Sequence, residues 1–130
     1  MTGLSDTYEV NVLNALLRNG TLNVAQSYAS LHTADPGDTP TGNELTDSGY
    51  ARKSVTFSVP TSGSGQTSNS ADVTFNAIVD TGPFTVTHVG LWDALTSGNM
   101  IMSAALNSSK QFSQNDVPRF PTGSLTVTAS

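Results

Sequence analysis

A chain of 130 residues with a net charge of −5 and no cysteine predicts one unstapled domain over 1–130, folded in a reducing compartment such as a cytoplasm. Its five basic residues, Arg18, Arg52, Lys53, Lys110 and Arg119, form no stripe or cluster, which argues against nucleic-acid binding by phosphate neutralisation. Met1–Val10 lacks the basic stretch and apolar run of a signal peptide, and no segment is long and apolar enough to suggest a membrane span.

The first predicted element is an amphipathic helix over 5–19. Ser5 suits the N-cap, and Asp6 and Glu9 sit where the helix dipole favours anions. Val10, Leu13 and Leu17 recur at helical spacing, with Val12 and Leu16 widening the stripe. Asn19-Gly20 ends it, with Gly20 suited to the left-handed position after the last turn. This stripe must cover something: either one end of the chain's own sandwich or a neighbouring subunit.

From there the period changes to two, and a β-sandwich is predicted over 26–129. Tyr28–His32 is a short alternating strand. Thr33–Gly49 is a long turn-rich loop carrying Asp35-Pro36-Gly37-Asp38 and Pro40-Thr41-Gly42-Asn43. Ala51, Val55, Phe57 and Val59 share one side of a strand within Tyr50–Pro60, and Thr61–Ser70 reads as a mobile hairpin tip. Ala71, Val73, Phe75 and Ala77 alternate with polar residues as a half-buried strand. Phe84–Trp92, apolar on both faces, suits a central strand, with Met100–Leu106 as its partner. Leu125, Val127 and Ala129 alternate to close the chain. The fold class is therefore all-β, an antiparallel sandwich of jelly-roll or immunoglobulin-like size with one N-terminal amphipathic helix.

Chemistry is sparse. His32 and His88 have no metal-ligand spacing, and His88 reads as a satisfied core or interface histidine. Gly63-Ser64-Gly65 lacks the following helix of a nucleophile elbow. Asp72, Asp80 and Asp93 are the acids available for glycoside hydrolysis, but a chain this small rarely shapes such a cleft. The loop acids Asp35, Asp38, Glu44 and Asp47 are weak candidates for a calcium site. Tyr28, Tyr50 and Trp92 could stack on sugars; Tyr28 and Trp92 read as core, Tyr50 as the most exposed. No catalytic residue, cofactor or metal is expected.

Three strings carry a resemblance. Leu31-His32-Thr33-Ala34-Asp35-Pro36-Gly37-Asp38 followed by Gly49-Tyr50-Ala51-Arg52 is the first. Thr85-Val86-Thr87-His88-Val89-Gly90-Leu91-Trp92-Asp93-Ala94 is the second, and Arg119-Phe120-Pro121-Thr122-Gly123-Ser124-Leu125 the third. Together they resemble a group of small tailed-phage virion proteins usually labelled tail fibre proteins. The size and compactness also resemble phage head decoration, or cement, proteins. The resemblance implies a non-enzymatic virion structural protein with no active-site residues. The leading expectation is a capsid decoration protein that binds the outer head surface and stabilises the shell. The alternative is a tail fibre or baseplate-associated module contacting host glycans. Expected partners are further copies of the chain, as a trimer, and the major capsid protein or other virion proteins. Leu13, Leu17, Tyr50 and Arg52 are the interface candidates.

Overall fold

A computed structural model describes residues 1, 3–38 and 42–129 of the chain. The elements are one helix, α1 (Asp6–Leu17), and strands β1 (Ser27–His32), β2 (Lys53–Val55), β3 (Gln66–Ser68), β4 (Val73–Thr74), β5 (Phe84–Trp92), β6 (Met100–Phe112), β7 (Arg119–Phe120) and β8 (Thr126–Thr128). Four strands form an antiparallel sheet in the order β2-β1-β5-β6. Two short antiparallel pairs, β3-β8 and β4-β7, complete an all-β, sandwich-like fold. The expected fold class is what the chain adopts.

The core lies on one face of the large sheet. Ala29 and Leu31 of β1, Val89 and Leu91 of β5 and Met102 of β6 pack with Val73, Phe75 and Leu125 from the shorter elements. Each of these side chains larger than Ala29 contributes about 1.5–3 kcal/mol by leaving water. Phe75 is the hinge of this contact: it stacks on Tyr50 at 6.3 Å and meets Phe120 edge-on at 6.1 Å.

β5 is central, between β1 and β6, as its two apolar faces predict. β6 runs six residues beyond the expected Leu106, because Asn107–Lys110 is too polar to show the apolar alternation of a half-buried strand. Elsewhere the expected periodicity overstates burial. Val73 and Phe75 are buried but Ala71 and Ala77 are exposed, and only Val73–Thr74 is paired as strand. Val59 is 90% exposed. The chain leaves the sheet after Val55, and Phe57–Thr61 instead pairs back on Gln66–Asn69 as a hairpin in which Phe57 packs on the core while Val59 does not. The Thr61–Ser70 segment accordingly contains strand β3, paired to β8.

The long loop is tied at its roots. The Thr33 N–H donates to Asn43 O, and Leu45 N–H to Leu31 O, so Leu45 returns into the core. Of the predicted turn Pro40-Thr41-Gly42-Asn43, Pro40 and Thr41 lie outside the described residues.

The helix is shorter than 5–19 and is anchored by hydrogen bonds at its start, while Asn11, Val12, Asn14 and Ala15 further along are half-buried. Ser5 donates its N–H to Ile101 O and its hydroxyl to Met100 O, while its oxygen accepts the Tyr8 N–H. Buried Tyr8 donates its hydroxyl to Asp93 Oδ2 at 2.8 Å. At the other end Asn19, at φ +56°, takes the left-handed position expected of Gly20. Gly20 is required for a different reason: a Cβ there would lie 3.0 Å from the Asn14 carbonyl, which accepts the Gly20 N–H.

Candidate functional site

The face of the large sheet opposite the core carries a polar knot. Period two places Ser30 and His32 of β1 on this face, opposite Gly90 and His88 of β5. Ser30 and His32 are fully buried. Ser30 Oγ accepts the Trp92 indole N–H at 2.8 Å and contacts His32 Nε2 at 2.7 Å. His32 Nδ1 lies 3.1 Å from the Gly42 carbonyl, which can only accept. The proton therefore sits on Nδ1, and the bare Nε2 accepts the Ser30 hydroxyl. Burial lowers the His32 pKa below its ordinary value, keeping the ring neutral.

A serine and a histidine in contact suggest a nucleophile, but the packing gives this pair another task. A Cβ on Gly90 would stand 2.6 Å from Ser30 Oγ, 3.1 Å from His32 Nε2 and 3.2 Å from Trp92 Nε1. The Gly90 backbone lies directly over the hydroxyl and closes it off from any substrate. The pair orients β1 on β5 and satisfies buried polar groups.

Arg52 extends the knot outward. Its guanidinium stands 3.7 Å from the Trp92 ring centroid. Nε bonds both Glu44 oxygens, at 3.0 and 3.1 Å, and Nη1 donates to the Ala94 and Ser97 carbonyls. One side chain so pins the returning loop and the β5–β6 turn to the sheet. Tyr50 accepts the Leu31 N–H on its hydroxyl and stacks on Phe75. Burial pushes the Tyr50 pKa up. Tyr50 is thus half-buried rather than exposed, and both Tyr50 and Arg52, expected at an interface, are engaged within the chain.

The loop acids are not drawn together. Among the described residues no three His, Cys, Asp or Glu side chains are arranged to hold a metal ion. Asp35 accepts the Gly37 N–H, and Glu44 is paired with Arg52. Buried Asp47 accepts the N–H groups of Gly49, Val79 and Asp80 at 2.8–3.0 Å. Burial pushes its carboxyl up, but these three donors outweigh that and hold its pKa below the ordinary value. Asp38 lines a hollow of about 400 Å³ with Asp35 and His88. His88 is half-buried, with Nδ1 on Thr87 Oγ1.

The other acids cap turns. Asp72 accepts from Thr122 N and Oγ1, Asp80 from Ser48 N and Oγ, and Asp93 from Tyr8 and Asn99. Sequence reasoning missed Asn69, which is buried and clamps the last turn: its amide donates to the Ala71 and Pro121 carbonyls and its Oδ1 accepts the Leu125 N–H. Nothing in a Ser/Thr/Gly-rich stretch marks one asparagine as a core residue.

Among the described residues, two of the surfaces open to solvent contain residues that bear on partners. One is a groove of about 510 Å³ whose walls include Phe112, Phe120, Lys110 and Arg119. The other is α1, whose Val10, Leu13, Leu16 and Leu17 are 58%, 56%, 74% and 76% exposed. Of the four interface candidates, Leu13 and Leu17 are therefore the two placed on open surface. Among the described residues no helix is long and apolar enough to cross a membrane.

Residues 3–128 match a family model described as "Podophage GP4 fiber I protein gp80". A comparison with curated proteins finds no significant match. The three strings singled out in the sequence all converge on the scaffold: the first two meet in the Ser30–His32–Trp92–Arg52 knot, and the third wraps Asn69 and Asp72.

Proposed function

Because the chain belongs to the family of podophage GP4 fiber I protein gp80, we propose that it is a tail-side module of the phage fibre apparatus that touches host-surface glycans. As a phage fibre structural protein it is a virion component. The family match over residues 3–128 carries the tail-side reading over head decoration.

The open groove supports the glycan part of the proposal. Phe112 and Phe120 offer apolar ring surface for a sugar, and Lys110 and Arg119 offer donors for its oxygens or for an acidic substituent. Assembly would take place in the host cytoplasm, with further copies of the chain and other virion proteins as partners.

Immunogold labelling of intact particles tests the placement. Label on the tail or its fibres is expected; label confined to the head surface, in copy numbers near that of the shell protein, would overturn it. Capsid decoration is the second reading, favoured by a chain without heptads or fibrous repeat. Lys110→Glu should weaken binding of the purified protein to host cells several-fold if the groove takes an acidic glycan.

A further inference from the structure

The inner side of the large sheet holds a lysine where packing calls for an apolar residue. Lys110 of β6 pairs with Val86 of β5, and directly opposed residues of antiparallel strands share a face. Val86 is fully buried in the core, so the Lys110 stem lies on the side of the gap between the layers. Two residues on, Phe112 pairs with Phe84 on that same side and packs against the core. Between the pairs Val86–Lys110 and His88–Ala105, Thr87 alone faces Leu106–Ser109. Irregularities of this kind re-aim side chains beside binding sites. Here Leu106, Asn107 and Ser108 become part of the wall of the groove.

β7 supplies the opposite wall. Phe120 pairs with buried Val73 and meets Phe75 edge-on, so it faces inward. Arg119, its neighbour, falls on the outer side of β7, with Asp72 at 3.5 Å. The groove thus offers two aromatic rings, an ammonium inside and a guanidinium at its rim.

Its charge is the reverse of the chain's. The sequence carries ten acids against five bases, yet among the described residues no Asp or Glu lines this groove. Arg52, Lys53 and Arg119 each have a side-chain partner, whereas the Lys110 ammonium has none among the described residues. Beside buried apolar surface an ammonium attracts an anion more strongly than it does in open water. A volume of about 510 Å³ falls within the range of small-molecule sites, about 300–1,000 Å³.

We propose that the groove takes a saccharide bearing a carboxylate, with the carboxylate on Lys110 and a sugar face on Phe112 or Phe120. The inference rests on the glycan reading of this groove and narrows it to acidic sugars. A neutral sugar leaves the ammonium without a counter-charge, and a bare inorganic anion leaves the rings unused. An inward lysine on the outermost strand β6 also hinders edge-to-edge pairing of sheets. That task needs neither a groove free of carboxylates nor a second aromatic wall.

Calorimetric titration of the whole chain with methyl glucuronide and methyl galacturonide, each against its neutral methyl hexoside, tests the proposal. At least one uronide should bind about tenfold tighter than its neutral counterpart. The gap should close in about 0.5 M NaCl. Lys110→Gln should abolish the preference, while Arg119→Gln, at the rim, should reduce it by no more than about threefold. Lys110→Glu keeps an inward charge at the sheet edge, so it should stay folded and reverse the preference even if Lys110→Gln aggregates. Equal affinity for acidic and neutral glycosides would overturn the proposal. So would a preference that either Lys110 variant leaves intact, displacement of the uronide by an equal concentration of inorganic phosphate, or no uronide binding up to about 50 mM. Periodate oxidation of host-cell sugars separates this inference from the reading beneath it. If periodate abolishes cell binding but wild type and Lys110→Glu bind untreated cells alike, the glycan reading stands and the acidic-sugar inference falls. Cell binding that survives periodate overturns the glycan reading itself.

Discussion

The two faces that flank β5 and α1 invert the usual distribution of residues. In the knot, a serine and a histidine are buried and an arginine is half-buried against the sheet, every one with a partner. On the helix, leucine and valine stand in water with none. The first arrangement is closed: each donor meets an acceptor, and a single added methyl at Gly90 has nowhere to go. The second is open, because apolar surface gains nothing until another surface arrives. The knot therefore carries stability that the exposed helix stripe does not, and substitutions should sort accordingly.

The largest effect is expected in the knot. Arg52→Ala removes the charge over Trp92 and leaves the Glu44 carboxylate and two carbonyls without their donor, costing about 3 kcal/mol in a urea titration. Arg52→Lys should recover less than half of this, since an ammonium cannot stack flat on the indole while bonding Glu44. An unchanged midpoint in Arg52→Ala would mean the knot is decoration rather than scaffold.

Acid comes next. The folded-state pKa of His32 lies below its unfolded value of 6.5, so the unfolded chain takes up the proton first. The stability His32 lends is complete above pH 6.5 and is lost as pH falls towards the lowered value, with a slope of at most about 1.4 kcal/mol per pH unit. His32→Gln should be less stable at neutral pH but flatter between pH 7 and 5; a parallel pH profile would show that His32 is not the group responsible.

The helix anchor is smaller still. Tyr8→Phe should cost about 1.5 kcal/mol, the loss of one hydrogen bond to a carboxylate. The Tyr8 pKa is pushed up to about 12 by burial and by Asp93, from 10.0. The folded state thus holds the proton longer, and stability present below pH 10 is lost as pH rises through 12. Tyr8→Phe should abolish that alkaline loss in a stopped-flow pH jump. Smallest of all, Leu16→Ser should change the monomer's stability by no more than about 0.5 kcal/mol, because its side chain is not part of the core.

These expectations show what the sequence could reveal. β1 and the helix were legible because each repeats a single physical period, and β5 because it is apolar on both faces. The N-cap at Ser5 was legible because a hydroxyl there is chemically specific. The direction of the helix stripe was not, since periodicity reports that a helix has an apolar side but not what lies beneath it. The knot escaped for a related reason. The alternation of Tyr28–His32 does not say what covers the Ser30 and His32 side, and only Gly90, a residue with no packing value in a central strand, marks a close approach there. Arg52 and Tyr50 were singled out as interface candidates, but their bonds within the chain were not legible, because nothing in the local sequence sets Glu44 against Arg52 or Leu31 against Tyr50.

The Met1 amino group donates to the Thr126 carbonyl and Thr128 returns an N–H to Met1, joining residues 125 positions apart. Closing a loop of that size costs about 4 kcal/mol in chain entropy before any contact repays it. Tyr8 likewise waits for Asp93, 85 residues later. The segment that leads into α1 is therefore ordered by contacts with residues 85 or more positions away, which raises the contact order of the fold. Without them α1 has no tertiary anchor, so the helix is the part of the fold that most depends on distant residues already being in place.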